Sequence, residues 1–169
     1  NKKVLGIDLS EEAIKFANEL KNGESEQTQA NIEFKVTSFN NYNDTRKFDT
    51  IILGEVLEHL LFPQEFIDRS FDLLNDNGIL IITLPFGTTE YFDHKKDYYL
   101  FDVLKLVETK YDVIDIKYFD SWIGIKLRKN ERKEEVKDYK FLIDFEKNIN
   151  DLEMKLKLKN IELNNKLKE

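Results

Sequence analysis

Apolar runs separated by helical segments constrain the fold of this chain most strongly. The run at 48–53 is followed by a helix predicted from Pro63 to about Asn75, which Asn77-Gly78 ends before the apolar run at 79–84. Two strands joined through a helix of about ten or more residues need a crossover connection, which makes them parallel. This stretch therefore predicts an α/β fold with a mostly parallel sheet.

The N-terminal part repeats the pattern. Residues 4–8 are predicted to form a buried strand, and Ser10 is suited to cap a helix that continues to about Leu20. A polar loop is predicted at 21–31, and a second strand of alternating character at 32–36. These elements extend the α/β prediction to the start of the chain.

The C-terminal part of the sheet is predicted to be antiparallel. After a helix predicted at 101–110, two strands are predicted at 113–119 and 122–127, with only Asp120-Ser121 between them. Two residues are too few for a crossover and suit a tight hairpin. We therefore expect a Rossmann-like sheet that ends in an antiparallel hairpin, within a domain at 1–128.

The segment 129–169 is predicted to be a charged amphipathic helix. It contains no Gly or Pro, and Lys159 fills the one gap in a series of apolar residues spaced by three and four. That series is Leu142, Phe145, Ile149, Leu152, Leu156 and Leu163. The helix either folds back on the domain or forms a coiled coil between chains; we favour the second, with a homo-oligomer formed through 139–166.

Composition narrows the class of protein. The 169 residues include 33 acidic and 26 basic side chains, for a net charge of -7, and no cysteine. A negative balance disfavours nucleic acid as a partner, and the lack of cysteine excludes thiolate chemistry. Neither a membrane span nor a secretory leader is visible in the sequence, so we expect a cytoplasmic protein.

Three motifs carry a resemblance to a known family. "VLGIDLSEEAIKFA", "FDTIILGEVLEHL" and "LLNDNGILIITLP", together with the predicted hairpin, resemble the class I S-adenosylmethionine-dependent methyltransferases, in particular their type-11-like "EVLEH" group. The resemblance covers residues 4–127. It implies S-adenosyl-L-methionine as cofactor and S-adenosyl-L-homocysteine as product.

The resemblance also implies residues that bind the nucleoside part of the cofactor. Asp8, with Leu9 beside it, stands where the family binds the ribose hydroxyls, and a carboxylate can accept hydrogen bonds from both. The alternative is that Asp8 only caps the following helix. Ser38 stands where the family commonly has an adenine-binding Asp, and Phe39 follows it; Phe39 is equally suited to core packing.

Other residues are implied near the methionine end and the reacting groups. Gly54 and Glu55 stand where the family's backbone approaches the methionine part of the cofactor, although Gly54 also suits a simple turn. Glu58 and His59 are favoured as a structural pair that braces or lines the site, with His59 a second candidate catalytic residue. His94 is the candidate general base, and its alternative role is to anchor its own loop.

The acceptor is suggested by two further segments. "PFGTTEYFDHKKDYYLF" and "DSWIGIKLRK" resemble methyltransferase domains that occur beside glycosyltransferases of bacterial surface polysaccharides. The resemblance implies methyl transfer to a sugar or glycan hydroxyl, in polysaccharide biosynthesis.

Two alternatives remain open. The principal interpretation assigns no metal ligand, whereas a second one uses Glu55, Glu58, His59 and His94 for a divalent metal, as the small-RNA 2′-O-methyltransferases do. The third is a non-catalytic scaffold acting through its C-terminal helix, because the family's glycine-rich loop and the strand before it are not found and the six glycines are scattered. We expect residues upstream of Val4 to supply that strand and loop.

Overall fold

The structure is a computed structural model that describes residues 2–43, 45–89, 91–130 and 140–166. The first part of the predicted C-terminal helix, at 131–139, and its last residues, at 167–169, lie outside the described residues. The chain divides into two compact units, residues 1–46 and 47–169, which are described one at a time. None of the described helices is long and apolar enough to cross a membrane.

The first unit is a β-α-β arrangement. It consists of β1 (Val4–Asp8), α1 (Glu11–Asn22), α2 (Glu26–Gln29) and β2 (Ile32–Val36). The two strands are parallel, with Val4 opposite Ile32 and Asp8 opposite Val36, as the sequence predicts. The short helix α2 lies in the segment predicted as loop, so that prediction is wrong there; the Ser25 hydroxyl caps it by accepting from the Thr28 N–H at 3.2 Å.

The second unit holds the larger sheet. Its elements are β3 (Phe48–Gly54), a 3-10 turn (Leu57–His59), α3 (Pro63–Leu73), β4 (Leu74–Pro85), α4 (Leu100–Val107), β5 (Tyr111–Phe119), β6 (Trp122–Lys129) and α5 (Lys140–Lys166). The strand order is β3-β4-β6-β5. Strand β3 is parallel to β4, whereas β6 is antiparallel to both neighbours, which confirms the predicted hairpin. The α/β prediction is likewise confirmed.

The core of the second unit lies along β4 and β6. Alternate side chains of these strands have no exposed surface, because successive residues of a strand point to opposite faces. They are Leu80, Ile82 and Leu84 of β4 and Ile123, Ile125 and Leu127 of β6. This core fixes the carboxyl end of β4 beside the carboxyl end of β3.

The start of β4 differs from the sequence prediction. Helix α3 ends at Leu73 rather than near Asn75, and the pairing of β3 with β4 shifts between Phe48 and Thr50. Asn77 within this irregular segment has a φ of 59°, and a Cβ on Gly78 would lie 2.8 Å from the Asn75 carbonyl oxygen. Asn77-Gly78 therefore shapes the entry to β4 rather than ending the helix, since only glycine fits so close to that carbonyl.

Within the described residues, the first strand of each sheet pairs with a neighbour on one side only. In the ranges that the structure describes, β1 pairs with β2 alone and β3 pairs with β4 alone.

Helix α5 contacts α4 and the loop before it, within the second unit, through acidic side chains. Glu146 is 6% exposed, and its Oε2 accepts from the Phe101 N–H at 2.9 Å, at the start of α4. Glu153 Oε2 accepts from the Tyr99 hydroxyl at 2.9 Å and from the Thr88 hydroxyl at 3.2 Å. The first half of α5 thus folds back on its own chain, which was the less favoured of the two sequence interpretations.

Candidate functional site

Asp8 closes β1 in the first unit and is exposed. Its Oδ1 accepts from the Ser10 N–H at 2.8 Å, and its carbonyl accepts from the Thr37 N–H at 2.9 Å. The cap of α1 is Ser10, whose hydroxyl accepts from the Ala13 N–H at 3.1 Å. Asp8 therefore holds the residue that caps the helix, while its carboxylate stays open to solvent at the end of the strand.

Ser38 and Phe39 follow β2 and are half-buried. Their carbonyls close a turn, accepting from the Asn41 N–H at 3.1 Å and from the Tyr42 N–H at 3.3 Å. Leu9, after β1, is 74% exposed. The four residues predicted to bind the nucleoside are thus placed after the carboxyl ends of two parallel strands, the edge at which open α/β sheets bind ligands.

Gly54 ends β3 in the second unit and is exposed. A Cβ on Gly54 would meet nothing closer than the Thr83 hydroxyl oxygen at 3.5 Å, an ordinary contact. The fold itself does not require glycine here, unlike at Gly78. A glycine that the fold does not need is consistent with close approach of a ligand to the backbone.

Glu55 is held in a left-handed conformation beside Thr83. Its φ is 55°, its N–H donates to the Thr83 carbonyl at 3.0 Å, and its Oε1 accepts from the Thr83 hydroxyl at 3.1 Å. Burial raises the pKa of Glu55, the hydrogen bond from Thr83 opposes that rise, and the nearby Glu58 carboxylate adds to it. A non-glycine residue at positive φ costs about 1–3 kcal/mol and is common at functional sites.

The 3-10 turn after Glu55 is tied to the loop between β4 and α4. The Lys95 N–H donates to the Glu58 carbonyl at 2.7 Å, and the Tyr98 hydroxyl donates to the Leu57 carbonyl at 3.3 Å. Tyr98 is 1% exposed, and burial raises its pKa to about 12. Tyr98 is therefore a structural anchor that holds the histidine-bearing loop against the turn.

These anchors bring both histidines together. The rings of His59 and His94 meet edge to face with centroids 5.0 Å apart. His59 Nε2 lies 3.8 Å from Glu58 Oε1, and its Nδ1 lies 3.3 Å from Asp93 Oδ2. The predicted pair of Glu58 and His59 is thus in contact, and His94 joins it.

His94 is oriented by a short chain of hydrogen bonds. The Thr89 hydroxyl donates to Asp97 Oδ1 at 3.1 Å, and the same hydroxyl oxygen lies 2.7 Å from His94 Nδ1. With the single hydroxyl proton given to the carboxylate, Nδ1 of His94 carries a proton and donates to Thr89. In neutral His94 the lone pair is then on Nε2.

Sequence reasoning missed Thr89 and Asp97. Both lie in the loop "PFGTTEYFDHKKDYYLF", five residues before and three residues after His94. A hydroxyl and a carboxylate flanking a histidine within one loop was the available signal. It could not be interpreted without the fold of the loop, since no periodicity governs irregular segments.

The fold and the polar strand ends together define a class. Parallel strands with polar residues at their carboxyl ends, in both units, and an antiparallel hairpin in the second unit are typical of Rossmann-like α/β proteins. Residues 1–98, more than half of the chain, match the family described as "Methyltransferase domain". The chain belongs to this family.

Known relatives agree with this assignment. The chain is 35% identical over 79 residues to the ubiquinone biosynthesis O-methyltransferase of Pelagibacter ubique (strain HTCC1062), a match covering 47% of this chain and 31% of that protein. The match thus spans less than a third of that enzyme. The N-methyltransferase NodS of Bradyrhizobium japonicum WM9, solved with S-adenosyl-L-homocysteine, shares the fold with a TM-score of 0.63 at 18% identity, over 76% of this chain and 67% of NodS.

The same fold also occurs in a protein named for another reaction. The [4+2]-cyclase SpnF aligns with a TM-score of 0.64 at 12% identity, over 77% of this chain and 67% of SpnF. The fold alone therefore does not determine the reaction, which has to be argued from the residues of the site.

Proposed function

We propose that the protein is an S-adenosylmethionine-dependent O-methyltransferase whose acceptor is a hydroxyl group of a sugar or glycan. The observation that carries the proposal is the chain Asp97–Thr89–His94, which leaves the Nε2 lone pair of a histidine available as a proton acceptor. Hydroxyl acceptors need such a base, because they lose a proton when they are methylated.

The residues present fit the cofactor in each unit. In the first unit, the exposed Asp8 carboxylate would bind the ribose hydroxyls, with Leu9, Ser38 and Phe39 around the base. In the second unit, the backbone at Gly54 and Glu55 would receive the methionine end, where no fold contact requires the glycine. The bound cofactor supplies an electrophilic methyl group on a sulfonium.

The chain's own task is then to position the acceptor and to take its proton. The methyl group would pass from the cofactor's sulfonium to the acceptor oxygen, and Nε2 of His94 would take the hydroxyl proton. Thr89, which is held by Asp97, contacts Nδ1 of His94, so Nε2 lies on the opposite side of the imidazole ring from this contact. His59, in contact with the His94 ring, lines the same site.

The proposed acceptor class rests on the loop that carries His94. Tyr91 and Phe92 are 62% and 99% exposed in this loop, and the Tyr91 ring centroid lies 5.0 Å from that of His94. Exposed aromatic rings next to a base suit a sugar ring, which presents apolar faces and hydroxyl edges. The O-methyltransferase of Pelagibacter ubique supports oxygen as the methylated atom.

We further propose that residues 1–128 form the catalytic domain and that α5 joins chains. Leu152, Leu156 and Leu163 are 59%, 61% and 48% exposed on α5. Apolar side chains at these spacings suit pairing with a second helix. Sedimentation equilibrium is expected to show an oligomer that Leu156→Lys converts to monomer; a wild-type monomer would contradict this.

Methyl transfer to defined acceptors tests the proposal. The protein is incubated with methyl-labelled S-adenosylmethionine and sugar nucleotides, oligosaccharides, catechols or small amines, and labelled products are identified by mass spectrometry. We expect O-methylated sugars, and loss of product with His94→Gln. Labelling only of amines or catechols would contradict the sugar acceptor while keeping the reaction class.

A further inference from the structure

We infer that Glu58, His59 and His94 form a binding site for a divalent first-row transition metal ion. One ligand atom of each residue lies within 4.8 Å of those of the other two. Two imidazoles and a carboxylate suit Mn²⁺, Fe²⁺, Co²⁺ or Zn²⁺ better than Mg²⁺ or Ca²⁺, which prefer oxygen ligands alone. The site lies wholly in the second unit and does not rest on the proposed methyl transfer.

The carboxylate of Glu58 is the first argument for an ion. Glu58 is 2% exposed, and its Oε2 has no hydrogen-bond partner among the residues that the structure describes. Its Oε1 lies 3.8 Å from His59 Nε2, too far for a hydrogen bond. A buried carboxylate oxygen without a partner is costly, and a bound cation would supply an opposite charge directly at it.

The sides of the two histidines that face acceptor oxygens are the second argument. Nδ1 of His59 faces Asp93 at 3.3 Å, and Nδ1 of His94 donates to Thr89, which in turn donates to Asp97. Metal-binding histidines usually donate one ring N–H to such an acceptor, which leaves the other nitrogen as ligand. Both histidines thus offer Nε2, and Nε2 of His59 is the atom that faces Glu58.

The spacing predicts a small movement on binding. Two ligand atoms that are each about 2.1 Å from one ion are at most about 4.2 Å apart, which is less than the 4.8 Å span of the cluster. Binding of an ion would therefore draw the ligand atoms closer together than the 4.8 Å limit. Three protein ligands leave at least one coordination position for water or for an acceptor oxygen.

The ion and the proposed base use the same atom. The lone pair on Nε2 of His94 cannot bind a metal and accept a proton at once. The two roles are therefore measured separately, metal binding with the metal salt alone and base catalysis in the presence of a chelator.

Calorimetric titration of metal salts tests the site. MnCl2, ZnCl2 and CaCl2 are each titrated into chelator-treated protein. We expect one-to-one binding of Mn²⁺ and Zn²⁺, much weaker binding of Ca²⁺, and at least about tenfold weaker Mn²⁺ binding in Glu58→Gln, His59→Gln and His94→Gln. Glu108→Gln is the matched control: Glu108 also has a buried carboxylate oxygen without a partner among the described residues, but it is not part of the histidine cluster.

Thermal melting of the metal-free variants separates the site from a purely structural pair. If the buried charge of Glu58 has no compensating partner in the metal-free protein, Glu58→Gln should melt at the same temperature as wild type or at a higher one, since a neutral amide is easier to bury. A carboxylate that only braces His59 predicts a lower melting temperature. That result, or wild-type protein that binds neither Mn²⁺ nor Zn²⁺, or Glu58→Gln protein that binds as wild type does, would overturn the inference.

Discussion

Two pairs of parallel strands, β1 with β2 and β3 with β4, carry polar groups at their carboxyl ends. These polar groups are organised differently in the two pairs. After β1 and β2, Asp8 is exposed, and the side-chain hydrogen bond that it makes within the described ranges is with the nearby Ser10 N–H. After β3 and β4, Glu58 is buried, the two histidines contact each other, and His94 bonds to Thr89 of its own loop. The carboxyl ends of β1 and β2 thus form a first, open edge, and those of β3 and β4 form a second, connected edge, whose polar groups already contact one another.

The difference indicates a division of tasks. An open carboxylate gains its main partners from a ligand, so it suits recognition of a cofactor that binds and leaves. Imidazoles whose orientation is fixed by neighbouring acceptors are ready to take a proton or hold an ion without rearranging. Substitutions at the first edge should therefore change affinity, and those at the second edge should change the rate.

The largest effect is expected at His94. We expect His94→Gln to lower kcat about 10²- to 10⁴-fold, the usual contribution of a general base, when activity is measured with a chelator present. Affinity for S-adenosyl-L-homocysteine should stay unchanged. A variant that keeps its kcat would show that the connected edge does not supply the base.

Asp8 is expected to have the next largest effect, on affinity. Asp8→Ala would remove the proposed contact with the ribose; one hydrogen bond to a charged group is worth about 1.5–3 kcal/mol, so the Kd for S-adenosyl-L-homocysteine should rise at least about tenfold. Exposed Glu11, in the first turn of α1, provides the control Glu11→Gln, which should bind as wild type. Equal loss in both variants would point to general electrostatics rather than a ribose contact.

Asp97 sharpens the comparison because it acts only through Thr89 and His94. In Asp97→Ala the Thr89 hydroxyl is free to donate to His94 Nδ1, which moves the imidazole proton to Nε2 and removes the base. We expect kcat to fall about 10- to 100-fold with the KM for S-adenosylmethionine unchanged. Asp97→Asn keeps an acceptor for Thr89 and should retain more activity; equal losses would argue against control of the tautomer.

The smallest effect concerns Glu146 of α5. Burial raises the pKa of Glu146 despite its backbone hydrogen bonds, so the folded state holds this proton more tightly than the unfolded state does. Its contribution to stability is thus fully present below the ordinary glutamate pKa and is lost as the pH rises through the raised value.

Glu146→Gln removes that dependence and keeps an oxygen for the Phe101 N–H. We expect its melting temperature to equal or exceed that of wild type at pH 7, and its advantage to shrink in melts recorded toward pH 4. Asp151→Asn, an exposed change on the same helix, should not alter the pH profile. A Glu146→Gln variant that is less stable at pH 7 would contradict the account.

The strands could be predicted because local pattern determines them. The runs at 4–8 and 32–36 have the bounds that the sequence indicates, and the hairpin followed from the two residues between its strands. Asp8 could be proposed because the resemblance of the motif at 4–17 places an acid at the end of β1. The pairing irregularity at 75–78 could not be predicted, since it arises from the register between β3 and β4.

The connected edge and the docking of α5 depended on tertiary structure. Thr89, His94 and Asp97 meet only because Tyr98 and Lys95 anchor their loop to the 3-10 turn. On α5, apolar periodicity predicts that leucines pack and acids face solvent. The acids Glu146 and Glu153 instead satisfy donors at α4 and in the loop, a need that the helix sequence alone does not reveal.

Calorimetric titration of S-adenosyl-L-homocysteine tests the central claim most directly. It is performed on the 169-residue chain and on the longest product that its gene encodes, so that a missing strand and a missing activity give different results. We expect saturable one-to-one binding in the micromolar range, weakened by Asp8→Ala and displaced by S-adenosylmethionine. No heat from the longest product, and no competition by the methyl donor, would contradict the assignment of a cofactor-binding edge at β1.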